Sequence, residues 1–136
     1  MYDLQILVQY TKTLKLLVVE DNKDSREQFV TMLENLFDTI YTAEDGIDGL
    51  KKLQQHSFDI VITDINMPKM NGLEMIRSLR EKNKDVITIV LSAHNEERFK
   101  STAKDLLVDS YLYKPVDLAQ LIEALMHMMQ KKKEVL

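Results

Sequence analysis

Three short, nearly unbroken apolar runs punctuate the chain, and each closes on a side chain that can do chemistry. Residues 14–19 stop at Glu20 and Asp21, residues 58–63 at Asp64, and residues 86–91 at Ser92. Runs of this length, with no polar face and a turn behind them, read as β-strands covered on both sides. The intervening segments follow a different rhythm. Phe29, Leu33, Leu36 and Phe37 recur at helical spacing behind a cap at Asp24 or Ser25. Ile47, Leu50 and Leu53 stripe a second helix, and Leu73, Met75, Ile76 and Leu79 a third. A polar helix is expected over 95–107, with a weaker stripe from Phe99, Ala103 and Leu106. A last helix carries Leu118, Leu121, Ile122, Leu125 and Met129 behind a cap at Asp117, and Lys131, Lys132 and Lys133 complement its dipole. Two further β-rich stretches, 39–43 and 111–113, complete the alternation; the turn Glu44-Asp45-Gly46 follows the first and Lys114-Pro115 ends the second.

Strands alternating with helices in this way make an α/β domain with a parallel sheet and right-handed crossovers. The three apolar runs belong in the middle of that sheet, which gives the strand order 2-1-3-4-5, a flavodoxin-like (αβ)5 three-layer sandwich. Ligands in such folds sit where the strand order reverses, outside the carboxyl ends of strands one and three. Those are the strands that end in Glu20-Asp21 and in Asp64. Residues 14–131 are read as this domain and 132–136 as a basic tail. Residues 1–13 are a lead or linker, in which Leu4, Ile6, Leu7, Val8 and Tyr10 show no clean period. They fit the end of a linker helix, an extra strand or an unordered lead.

Composition narrows the function. At 136 residues, 45% hydrophobic and 29% charged, the chain is one globular domain with a proper core. A net charge of -4 argues against nucleic acid as the main partner, since phosphate binding needs a cationic surface. The absence of cysteine excludes disulfides, thiolate metal sites and thiol catalysis, and fits a cytoplasmic setting. No window approaches a membrane span, and the first residues lack the basic leader and cleavage site of a signal peptide.

The predicted sheet edge collects Glu20, Asp21 and Asp64, with Ser92 from strand four and Lys114 from strand five. Carboxylates about 4 Å apart repel by roughly 4 kcal/mol at an effective dielectric near 20, so the set needs a cation or shifted protonation. Oxygen ligands without His or Cys favour Mg²⁺ or Mn²⁺ over zinc. A nucleotide or flavin phosphate would need an amide-rich loop after strand one, where EDNKDS offers acids; no Walker loop or GxGxxG occurs, and no His follows a strand end where a hydrolase needs its base. What remains is a carboxylate, Asp64, that itself accepts a phosphoryl group while Lys114 and Ser92 hold the phosphoryl oxygens. The plainer alternatives are that Asp64 only caps the helix near Leu73, that Glu20-Asp21 is a solvated turn and that Lys114 is a surface lysine.

The ordered set LLVVED, DIVITDINMPKMNG, VLSA and YLYKP resembles the receiver domain of two-component response regulators over residues 15–131. That resemblance implies that Asp64 is the phosphoacceptor and that Glu20 and Asp21 help bind Mg²⁺, with Asn66 offering its backbone carbonyl. It also implies that Lys114 contacts the phosphoryl group, that Ser92 swings toward it with Tyr111 as rotamer partner, and that the Lys114-Pro115 bond is cis. The donor would be a histidine kinase or histidine phosphotransfer protein, and the output face would lie on the fourth predicted helix, the fifth strand and the fifth predicted helix. Glu20 stands where Asp is more frequent, and DLLVDSY lacks the glycines common before strand five. A receiver-like scaffold that binds partners without phosphorylation is the alternative; an aspartyl-phosphate phosphatase would want a second aspartate where Asn66 stands, so no turnover enzyme is expected. His56, His94 and His127 are read as surface or helix residues, with His94 near enough to Ser92 to tune water access. Met126, Met128 and Met129 are read as core and rim, with a partner contact as the sharper option. One helix and a basic tail after Lys114 fit either a stand-alone receiver or one excised from a longer protein.

Overall fold

A computed structural model describes residues 3–135, and the side chains of these apart from 94, 95 and 132–135. The elements run α1 (Leu4–Thr11), β1 (Lys15–Val19), α2 (Lys23–Leu33), β2 (Thr39–Ala43), α3 (Gly46–Gln55), β3 (Ile60–Asp64), α4 (Gly72–Lys82) and β4 (Ile87–Ser92). A 3₁₀ stretch, His94–Phe99, then leads into α5 (Lys100–Asp105), β5 (Ser110–Tyr113) and α6 (Leu118–Val135). All strand pairs are parallel and the order is β2-β1-β3-β4-β5, as the apolar runs predict. No helix among the described residues is long and apolar enough to cross a membrane.

Alternation along the central strands divides the interior into two cores. Leu16, Val18, Ile60, Ile62, Ile89 and Leu91 face α2 and α6, whereas Leu17, Val19, Val61, Ile65 and Val90 face α3, α4 and α5. Both sets are buried, which is why these strands carry no polar face. The stripe of α3 is less complete than its spacing suggests, because Ile47 is 50% exposed. Met128 and Met129 are core residues, while Met126 is half-buried beside them.

Within the first thirteen residues, open between three readings, Leu4–Thr11 forms a helix docked on the α2/α6 side. Leu7 is fully buried, and the Thr11 hydroxyl donates to the Leu36 carbonyl at 2.6 Å, closing the chain after α2. Asp3 caps α1 by accepting from Gln5 N–H. The cap of α2 is Asn22, which accepts from Ser25 N–H, rather than Asp24 or Ser25. Asp117 caps α6 as expected, accepting from Gln120 N–H while the Gln120 side chain accepts from Asp117 N–H.

The polar helix over 95–107 is not continuous. Glu96, at φ -110° and ψ 30°, breaks it, and its buried carboxylate turns back to accept from Ala93 N–H at 2.8 Å. The loop without glycines solves its geometry with leucine. Leu107 sits at φ 60°, its N–H donating to Lys104 O and that of Val108 to Ala103 O, a Schellman closure of α5. The buried Arg80 guanidinium holds this loop from beneath, donating to the carbonyls of Leu106, Leu107 and Val86 and to Thr88 Oγ1.

Candidate functional site

Register alone brings the acids together. Val19 pairs with Thr63 across β1 and β3, so the next residues, Glu20 just past β1 and Asp64 at the end of β3, lie side by side at the carboxyl edge. Glu20 donates its N–H to Ala43 O, and Arg26 Nη1 donates to Glu20 O at 2.8 Å, which fixes the turn before α2. Asp21 follows, exposed. Carboxylate oxygens of Glu20, Asp21 and Asp64 lie within 4.8 Å of one another. Asp64 is 4% exposed and its Oδ2 accepts from Lys114 Nζ at 2.5 Å. Asp64 does not cap α4; Asn71 does, in a reciprocal capping box with Glu74.

Glu20 is the electrostatically unusual member. It is 5% exposed, and its Oε2 is buried without a hydrogen-bond partner. Burial first, then a hydrogen bond with Asp64 and the charges of Asp64 and Asp21, push its carboxyl up to about 8, against the opposing pull of Lys114. An orphaned buried oxygen among converging carboxylates, with oxygen donors only, is the donor set of a hard divalent cation. The residues present therefore fit Mg²⁺ or Mn²⁺.

On the other flank, Asp64 pairs in register with Leu91, and Ser92 with Tyr113. That puts Ser92 and Lys114 at the same sheet edge, where Lys114 N–H donates to Ser92 O at 2.8 Å. The fully buried Ser92 hydroxyl accepts from Tyr111 OH at 2.9 Å and donates to Ala93 O at 3.1 Å. Tyr111 OH also reaches Glu96 O at 3.2 Å. The Lys114-Pro115 peptide is cis.

A model of the response regulator receiver domain matches residues 16–126. The chain belongs to the response regulator receiver family. Among relatives, the transcriptional regulatory protein HptR of Staphylococcus aureus is 36% identical over 110 residues, which are 79% of this chain and 43% of HptR. The receiver thus spans less than half the length of that relative. Among solved structures, the N-terminal domain of an uncharacterized protein from Wolinella succinogenes superposes with a TM-score of 0.81 at 36% identity, covering 90% of this chain and 99% of that one. A receiver domain protein from Clostridium thermocellum gives a TM-score of 0.82 at 27% identity, with 90% and 99% covered.

Within this receiver, Glu20, Asp21, Asp64 and Lys114 form one group, and Ser92 with Tyr111 a second one joined to it through the Lys114 backbone. Asn66 lies exposed on the loop after Asp64. The His94 side chain, read from sequence as tuning water access, falls outside the described residues. Three participants escape a reading of the sequence. Arg26 braces the acidic turn, Glu96 braces the loop after Ser92, and Gly46 abuts the loop after Asp64. The helical spacing of Arg26 looks like any solvated face, and Glu96 like any exposed acid. The glycine after Asp45 was readable as a turn, without a sign of what it touches.

Proposed function

We propose that this receiver is a phosphoryl-accepting switch of a two-component relay, with Asp64 as the acceptor. The observation that carries this reading is the meeting at Asp64 of Lys114, which follows β5, and Glu20-Asp21, which follow β1, because neither segment alone could supply both a cation-binding and a phosphoryl-binding side. Glu20, Asp21 and Asp64, with the Asn66 carbonyl, would hold Mg²⁺. When bound, the ion supplies charge neutralisation for an in-line transfer. An Asp64 carboxylate oxygen attacks phosphorus of a phosphohistidine on a histidine kinase or phosphotransfer protein; the P–N bond breaks and the imidazole leaves. Lys114, already on Asp64, shifts onto the incoming phosphoryl oxygens, and Ser92 turns toward them. That turn releases Tyr111 from its hydrogen bond and changes the surface of α5, β5 and α6. A groove of about 600 Å³ there, lined by Tyr111, Leu112, Gln120, Met126 and His127, is where an output domain or target protein would read the state. The action of HptR as a transcriptional regulator suggests that nucleic acid is reached only through such an output.

Incubation with Mg²⁺ and acetyl phosphate is expected to add a single phosphate, seen by intact mass, and Asp64→Asn to abolish it. The same phosphate count on Asp64→Asn overturns the assignment.

A further inference from the structure

Each of the three glycines stands where a side chain has no room, and none has a positive φ. Gly49 serves packing alone: a Cβ there would lie 2.6 Å from Met75 Sδ and 3.2 Å from a Val19 methyl. The other two bear on the acceptor. A Cβ on Gly72 would overlap the Asp64 carbonyl oxygen and come within 2.9 Å of Thr63 Oγ1. A Cβ on Gly46 would overlap the Met70 carbonyl oxygen and lie 2.9 Å from the Met70 carbonyl carbon.

These contacts form a chain. Gly46 N–H donates to Met70 O at 3.2 Å, and Lys69 Nζ lies 3.7 Å from Asp45 Oδ2, so the turn before α3 grips the far limb of the loop after β3 twice. Lys69 is held at φ 70° beside that pair. Two residues beyond Met70, Gly72 N–H donates to Ile65 O at 2.9 Å, closing the loop onto the backbone next to Asp64. Asp45 is itself buried and committed to capping α3 through Asp48 N–H. The loop is therefore pinned at both limbs by backbone packed against backbone at Gly46 and Gly72, with the Lys69–Asp45 ion pair as a second, side-chain grip.

We infer that the Asp45-Gly46 turn is a positioning element for Asp64, acting through Met70 and Gly72 from outside the acidic cluster. The inference rests on the acceptor reading above. It separates Gly46 from Gly49, one helical turn apart on α3 but touching side chains only.

The test is a Mg²⁺ titration by calorimetry on wild type, Gly46→Ala and Gly49→Ala, with amide hydrogen exchange of residues 64–72 in the absence of metal. Gly46→Ala is expected to weaken Mg²⁺ binding about tenfold, the usual scale for losing an outer support of a metal ligand, and to speed exchange in that segment. Gly49→Ala is expected to lower Tm while leaving Mg²⁺ affinity within about twofold. Equal weakening in both variants, or wild-type affinity in Gly46→Ala, overturns the inference. Lys69→Gln decides the matter if Gly46→Ala does not fold. Removing a cation near the site strengthens Mg²⁺ binding if only charge matters, and weakens it if the ion pair holds the loop. Unchanged or tighter binding in Lys69→Gln overturns the inference. A wild-type protein that takes no Mg²⁺ overturns the acceptor reading itself, a result distinct from any difference among variants.

Discussion

A carboxyl group that is nine-tenths buried, with one oxygen lacking a partner, holds its proton tightly, and Glu20 is in that position. Its folded value of about 8 lies above the ordinary 4.5, so folding without metal favours the protonated form. The stability this group contributes is fully present below pH 4.5 and is lost as the pH rises toward 8. A divalent cation needs the carboxylate, so binding displaces the proton, and Mg²⁺ affinity should rise about tenfold per pH unit across that window. Calorimetry in two buffers of different ionisation enthalpy is expected to find about one proton released per ion near pH 6, and none in Glu20→Gln. An affinity flat between pH 5 and 8 would contradict it. Glu20, Asp21, Asp64, Ser92 and Lys114 were legible from the letters because parallel strands deliver their last residues to one edge whatever the details of packing. Arg26, Gly46 and Glu96 were not, because their partners are backbone atoms, which leave no mark in the pattern of side chains, and that of Gly46, Met70 O, is brought close only by the finished fold.

At the level of elements, apolar spacing located α2, α3, α4 and α6, even where the stripe is only partly buried as in α3, and left α1 unassigned. In α1 only Leu7 and Thr11, one turn apart, are buried, while Leu4 and Ile6 are exposed, so the apolar letters there outnumber the buried ones and obscure the period. Leu7→Ala should cost about 2–4 kcal/mol in chemical denaturation, the range for emptying a packed leucine site, without changing phosphate uptake at Asp64. A loss below about 1 kcal/mol would show that α1 is only loosely docked. The break at Glu96 was likewise hidden, since a buried carboxylate bonding back to Ala93 N–H leaves no mark on apolar spacing. Leu107 is a local compromise: 66% exposed, it stands at a left-handed position that suits glycine. Leu107→Gly is therefore expected to be neutral or stabilising by up to about 1 kcal/mol, relief of backbone strain outweighing the entropy glycine adds to the unfolded chain. A loss of more than that would show that the exposed side chain makes contacts worth keeping.

Over the whole molecule, Asp64 and the β5/α6 groove are separated by a short series of contacts, Asp64 to Lys114, Lys114 to Ser92, Ser92 to Tyr111. A bias of a few kcal/mol on a two-state surface is enough to invert its populations. Beryllofluoride with Mg²⁺ is expected to shift the NMR signals of Tyr111 and the Met126 methyl in the wild type. In Ser92→Ala these shifts should fall to a small fraction while the adduct still forms at Asp64, because the whole coupling between two such sites is typically about 1–3 kcal/mol and the described contacts route it through this hydroxyl. Full-sized shifts in Ser92→Ala would place the coupling elsewhere.

Lys114 is fastened twice, its ammonium to the carboxylate of Asp64 and its amide to the carbonyl of Ser92. A single residue thus plays the part of a bell-crank, turning a pull at its tip into a load on two neighbouring strands at once. Shortening that arm, as in Lys114→Ala, should unhook the carboxylate while leaving the amide fastening in place, so the charge would lose its lever arm even though both strands kept their seat.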